Sequence, residues 1–254
     1  MMEQPRPKRA KWRGLSRQQL KIIGLVLLIG SMFGTAVIQK GMPADLSEVD
    51  FGRLSAAILL EAASWMAIPL YSWMLVTGLE HTRSVGRYAL RLAVLAVIAE
   101  VPYDLATSGR VWDLTSQNPV FALLVTLVVL AYAKAGSGAR PGGRLALSAG
   151  LALAGGLWIW LFNVGLRLNI MPAGVLILVF GLIFWFGRRR QNTMMLLGCL
   201  IGVVAGLTPA LGLVLVHFRR GEEELRQGAS RRYIFYSLYP VCLMVAGLYR
   251  ILPS

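Results

Sequence analysis

Glu100 and Asp104 stand four residues apart, on one face of a predicted helix, with Pro102 between them to loosen the hydrogen-bond ladder. A carboxylate pair so spaced can hold an ammonium group and accept its proton. The same pair also serves as a helix-end feature held by Arg167 or by water, and Glu61, in the outer half of an earlier apolar run, carries the same two readings. His81 lies in Gly78-Leu-Glu-His-Thr-Arg83, and histidine is the usual general base because its ring titrates near neutrality. A loop histidine is also simply a solvated side chain. Arg83, Arg87 and Arg91 recur every four residues, which lines one helical face with guanidinium forks able to hold the phosphates of a nucleotide-containing donor. Positive charge flanking an apolar run explains Arg83 and Arg87 too, whereas Arg91 lies deeper in its run.

Other chemistries lack their residues. No Gly-rich phosphate cradle, paired metal ligands or Ser-His-Asp spacing occurs, so no metal is expected. The two cysteines, Cys199 and Cys242, lie inside apolar runs and indicate no disulfide framework.

The elements that must position these residues are set by composition. The chain has 254 residues, 56% hydrophobic and only 15% charged, with a mean hydropathy of +0.62. A soluble domain carries about 25% charged residues to wet its surface. Here the apolar residues fall in runs near the roughly 20 residues that a helix needs to cross a bilayer core. The reading is all-α: a polytopic transmembrane helical bundle of about 8–9 membrane helices, with a basic cytoplasmic tail over 1–19 and one helical domain over 20–254. The net charge of +14 does not point to nucleic acid, because the basic residues sit at the ends of apolar runs.

The predicted spans are Leu20 to Gln39, Leu54 to Leu79, Arg87 to Ala106, Pro119 to Lys134, Leu145 to Arg167 and Ile170 to Gly187, with 135–144 a Gly-rich loop. The first span resembles a signal sequence in its basic lead, but Lys40-Gly-Met-Pro43 follows without a small-x-small cleavage site, so it reads as uncleaved. Thr193 to Phe218 is interrupted at Gly206-Leu-Thr-Pro209, and Pro removes a backbone hydrogen bond there. Folded as a hairpin near 193–218, with Tyr233 to Leu252 as the last helix, the chain leaves only Lys40, Arg53, Arg110, Arg167 and Arg250 outside, and 21 of its 26 basic residues inside. A single crossing would give 17 inside and nine outside, so the positive-inside rule selects the hairpin. Gly30-Ser-Met-Phe-Gly34 and the glycines at 198, 202 and 206 are small-residue patterns for close helix packing.

In order along the chain, several segments resemble the TraX family, membrane proteins associated with N-terminal acetylation of conjugative pilin and similar to the wider membrane acyltransferases. They are Leu20-Lys-Ile-Ile23, Pro69, Gly78 with His81-Thr-Arg83, Tyr88-x-x-Arg91-Leu92, Glu100-Val-Pro-Tyr-Asp104-Leu-Ala106, Gln117-Asn118 and Phe235-Tyr-x-x-Tyr-Pro240. The resemblance implies a multi-pass protein of the inner (cytoplasmic) membrane, amino terminus inside. It would use acetyl-CoA or another acyl-CoA as donor, and a pilin-like or other membrane-delivered amine as acceptor. His81, Glu100 and Asp104 would be catalytic, Arg83, Arg87 and Arg91 would hold the donor, and Glu61 and Asn118 would meet the acceptor. The family pattern departs at Ser31-Met32, where an Asp-His pair is expected, at Cys242, where a histidine is expected, and between Asn169 and Gly174, where Asp-Tyr-Gly is expected. These departures favour a second reading, a catalytically inactive scaffold or peptide- or lipid-binding partner. A small transporter ranks last, since only one broken segment is visible.

The charge argument predicts that the amino terminus and the loop around Arg226 share one side of the membrane. Cysteines introduced near positions 5 and 226 should label from the same side; labelling from opposite sides would refute the hairpin.

Overall fold

The computed structural model describes residues 14–40, 50–135, 141–167, 171–219 and 229–252. Its helices are α1 (Arg17–Lys40), α2 (Phe51–Ser64), α3 (Ala67–His81), α4 (Val85–Thr107), α5 (Pro119–Ala135), α6 (Pro141–Leu161), α7 (Ala173–Gly187), α8 (Gln191–Val204), α9 (Thr208–His217) and α10 (Ala229–Ile251). A two-residue antiparallel ladder, β1 (Leu166–Arg167) with β2 (Met171–Pro172), precedes α7. The fold is thus all-helical apart from that ladder, as the apolar runs predict.

Side-chain chemistry sets several of the boundaries. Asp50 caps α2 by accepting from the Gly52 and Arg53 amides, and Ser84 caps α4 by accepting from the Arg87 amide. The second predicted span is one run in sequence but two helices in space. Pro69 has no N–H for the Trp65 carbonyl, which instead accepts from Ile68 in a tighter turn at 3.1 Å. The fifth predicted span is displaced: α6 begins at Pro141, inside the expected loop, and ends at Leu161. Beyond it Val164 turns back to bridge Gln117, and the Gly165 amide donates to the Gln117 carbonyl at 2.7 Å.

The stretch after Arg190 folds as a hairpin. Gly198 lies against Leu213 and Gly202 against Ala210, an antiparallel register, with the turn carried by Gly206 at φ +123 and Leu207 at φ 67. A Cβ on Gly202 would stand 2.6 Å from the Ala210 nitrogen, so the sequence pattern of small residues does mark backbone approach. The Leu15 amide donates to the Phe218 carbonyl at 2.7 Å, which brings the start of α1 to the end of α9. Positions 5 and 226 themselves lie outside the described residues.

The bundle has two chemically distinct ends. At one, Lys134 at the end of α5 donates to the Leu79 carbonyl at 2.7 Å, and Arg188 after α7 pairs with Glu80 at 3.6 Å. His81 belongs to this end. The other holds the connection 108–118 and the turn 162–166. Between them Phe180, Phe184, Leu127 and Leu130 are fully enclosed. The outside is apolar as well: Leu90 is 63% exposed and Val97 65% exposed on α4. A surface of that kind suits lipid and not water. Two helical stretches, Arg17–Ala36 and Phe51–His81, are long and apolar enough by themselves to cross a bilayer; six further apolar helices are shorter.

Gly212 is closely packed, with a Cβ placed 2.2 Å from the Met66 carbonyl oxygen at the α2–α3 junction. Gly212→Val should therefore lower stability by about 1–3 kcal/mol. Thermal unfolding in detergent measures it, and an unchanged midpoint would mean that α9 does not seat against that junction.

Candidate functional site

A cavity of about 350 Å³ opens between α1, α3, α4, α5, α7 and α10. That volume lies within the range of about 300–1,000 Å³ usual for small-molecule sites. Each helix offers it one face at helical spacing. Helix α1 supplies Arg17, Lys21, Leu25 and Leu28; α4 supplies Tyr88, Arg91 and Leu95. The polar groups gather towards the His81 end, where the exposed His81 marks an opening to the surface. Deeper in, the walls are mostly leucine, isoleucine, valine and alanine, with Tyr71, Tyr239 and Ser64 among them, up to Pro119 at the start of α5 and Ala173 at the start of α7.

Arg91 is the informative group in that wall. Its Nε is buried and has no hydrogen-bond partner among the described residues. Its guanidinium lies 5.7 Å from the centre of the Tyr88 ring, a cation–π contact that satisfies none of its N–H donors. A buried donor left unmade costs roughly 1–3 kcal/mol, so an acceptor entering the cavity gains a prepared partner. His81 is oriented by its own helix: Nδ1 lies 2.8 Å from the Thr77 carbonyl oxygen. Because a carbonyl only accepts, this contact puts the neutral ring's proton on Nδ1 and leaves Nε2 with a free lone pair.

The other predicted residues are divided between different places. Arg83 and Arg87 are exposed beside the same end but do not line the cavity. Glu61, 1% exposed, accepts from Thr35 of α1 at 3.1 Å and from the Trp65 indole at 3.2 Å. Glu100, Asp104 and Asn118 cluster at the opposite end. Asn118 is fully buried; its amide nitrogen donates to the Ala96 carbonyl at 2.9 Å and to Glu100, while its side-chain oxygen accepts from the Val120 amide at 3.0 Å and so caps α5. Asp104, 1% exposed, accepts from the Asp113 amide at 2.9 Å. Asp113 in turn accepts from the Thr115 amide and hydroxyl at 3.0 and 2.8 Å, bonds that hold its carboxyl below the usual carboxylate range. The two carboxylates therefore stitch the connection 108–118 to α4. The Arg167 side chain, the partner considered for them, lies outside the described residues.

The chain matches the family described as TraX protein over residues 16–250. It belongs to the TraX family. No curated protein and no solved structure gives a significant match. In this TraX chain three of the positions that depart from the expected family pattern lie off the cavity: Ser31 and Met32 are buried elsewhere on α1, and Cys242 lies on α10 beyond Tyr239, whereas Ala173, in the third departing stretch, lines it, and 168–170 lie outside the described residues. Arg17, Lys21, Tyr236 and Tyr239 line the cavity without having been singled out for a role. The signal was present in Arg17-x-x-x-Lys21-x-x-x-Leu25-x-x-Leu28, a single helical face that turns from basic to apolar. Positive-inside flanking accounts for the first two and hides the stripe.

The stitching of 108–118 makes Asp104 a discriminating position. Asp104→Ala removes the acceptor of a part-buried amide and should cost about 1–3 kcal/mol, whereas Asp104→Asn keeps an acceptor oxygen and should cost less. Unfolding midpoints of the two variants in detergent measure the difference; equal losses would show that the Asp113 amide is not held there.

Proposed function

We infer that this TraX-family membrane protein is an acyltransferase that takes an acyl-CoA from the His81 end of its cavity and acylates an amine presented there. The observation that carries the reading is the cavity itself, with Arg91's unpartnered Nε and the lone pair of His81 at the end that opens to the surface. Arg83 and Arg87, exposed on the same end, would attract the phosphates of the donor's nucleotide part. In the transfer the acceptor amine attacks the thioester carbonyl carbon and gives its proton to Nε2 of His81. The carbon–sulfur bond then breaks, and the departing thiolate takes that proton to become free coenzyme A. Arg91 is placed to hold the anionic or polarised part of the donor.

Glu100 and Asp104 stand some 20 Å along α4 from that end, by the rise of the helix. Reacting groups must approach to about 3–3.5 Å, so these carboxylates do not share a reacting centre with His81. Their part, with Asn118, is to fix the far end of the bundle by holding the connection 108–118. The charge distribution supports an amino terminus on the cytoplasmic side, the apolar runs support a count of 8–9 membrane helices, and the family resemblance supports the cytoplasmic membrane as the location. A catalytically inactive scaffold or lipid- or peptide-binding partner is the second reading, favoured by Ser31, Met32 and Cys242 standing where the family pattern has ionisable groups.

Coenzyme A binding tests the site directly. Arg91→Ala should weaken it about 10- to 100-fold, and Arg91→Lys should weaken it too, because an ammonium cannot reproduce the guanidinium fork. If both variants keep the wild-type Kd, Arg91 is not the donor site; if folded wild-type protein binds no coenzyme A, the scaffold reading takes its place.

A further inference from the structure

We propose that the apolar depth of the cavity holds a single long acyl chain, its anionic or polar head at the Arg17, Lys21 and Arg91 level, so that the natural acyl group is of fatty length and not a two-carbon group. The proposal rests on the acyl-donor reading only for the identity of the head; the chain site stands on the walls alone.

Three observations lead to it. The first is shape. On α1 the lining runs from Arg17 to Leu28, about 16 Å along the helix axis. On α3 the lining runs from Ala67 to His81, about 21 Å, so the cavity is a bore elongated along the helices. A two-carbon group at Arg91 would leave most of that bore unfilled.

The second is wall chemistry. Past the basic residues the cavity is lined mainly by Leu25, Leu28, Leu95, Leu123, Val120 and Ile177, and the hydroxyls of Tyr71 and Tyr239 interrupt that hydrocarbon wall. Ser64, at the deep end, donates its hydroxyl to the Glu61 carbonyl at 2.6 Å. A pantetheine arm threaded there would bury two amides against walls that offer them few partners, which is unfavourable. A hydrocarbon chain needs no partner, and each methylene removed from water is favourable.

The third is charge. Arg17 and Arg91 both act electrostatically on Tyr88, so they converge on one level of the cavity, and Arg17 also donates to the Met74 carbonyl at 3.4 Å. Cations at one level and hydrocarbon beyond it match an acyl chain with an anionic head. Two sources share that chemistry: a fatty acyl-CoA from the cytoplasm and a single-chain anionic phospholipid from the bilayer.

The experiment uses the full chain in phosphatidylcholine nanodiscs and palmitoyl-CoA bearing a diazirine at the end of its chain. Irradiation should cross-link the deep wall, in peptides containing Ser64 to Ile68 or Ala173 to Ile177. Unlabelled palmitoyl-CoA should compete at least about tenfold better than acetyl-CoA, since only the former fills the bore. Leu95→Trp plugs the middle and Ala173→Leu the far end. The first should abolish deep cross-linking and the second should shorten the best-competing chain, so the two depths test the bore even if one variant folds poorly. Cross-links confined to lipid-facing positions such as Leu90 and Val97, or acetyl-CoA competing as well as palmitoyl-CoA, would overturn the proposal. Palmitoyl lysophosphatidate competing as well as palmitoyl-CoA, with deep cross-links retained, would uphold the chain site and assign its occupant to the bilayer, at the expense of the acyl-CoA reading.

Discussion

A guanidinium inside an apolar bundle must have a counter-charge, a set of acceptors or a path to water, because burying it with none of these is prohibitive. Among the described residues Arg91 forms no ion pair and its Nε has no hydrogen-bond partner, while the Tyr88 ring lies against it. The bundle must therefore stay open at the His81 end. That requirement explains a contrast in the packing. Where α8 meets α9, and where α9 meets the α2–α3 junction, glycines let backbones touch and no space remains. Where α1, α3 and α4 converge, Tyr88 and leucines hold the helices apart around the cations. Tight contacts on one flank keep a stable wall for the loose one.

The opposite end solves its polar problem internally. Asn118 uses its oxygen to cap α5 and its nitrogen to tie that cap to α4, while Asp104 and Asp113 hold the connecting backbone in series. Such a chain of hydrogen bonds is rigid, and within it Asp104 Oδ1 is buried with no hydrogen-bond partner among the described residues. Pro119, one residue beyond the Asn118 cap, lines the cavity. The cavity's deep end is thus set by the same hydrogen bonds that order the loop, so changes at Asn118 or Asp104 reach the cavity through packing and not through chemistry.

Sequence alone conveyed the periodic parts of this fold well, and its errors have identifiable causes. The hairpin over α8 and α9 was legible because two independent signals agreed, the Gly206 to Pro209 breaker and the clustered arginines that follow Phe218. The division between α2 and α3 was not, since a proline two residues into a helix is ordinarily tolerated and the break depends on which carbonyl it leaves free. The fifth span was extended to Arg167 because Phe162, Val164 and Leu166 are apolar. Their backbone is instead captured by Gln117, a partner some 50 residues away that no local pattern reveals. For the site, residue type gave the chemistry of Glu100, Asp104 and His81 but not their separation. Helical spacing relates residues on one helix, and only the packing of helices shows which faces share a cavity.

That separation bears on how any reaction here is arranged. The basic residues and the cavity opening lie together at one end, whereas the carboxylates at the other hold the connecting backbone through the Asn118 and Asp113 contacts. An anionic donor is drawn to the basic end and repelled from the acidic one, and the field of the whole chain, with its net charge of +14, acts in the same sense. A reaction that needed both ends would have to pass a charged head through a bore lined by leucine and isoleucine. On the acyl-transfer proposal, placing the reacting bond at the His81 end avoids that barrier: the head stays at the basic level by the opening, the chain alone enters the bore, and the amine comes to the bond. An acceptor tail reaching that end is then the requirement, and residues that admit it are to be sought around the opening, on the exposed faces of His81, Arg83 and Arg87, and not among the carboxylates.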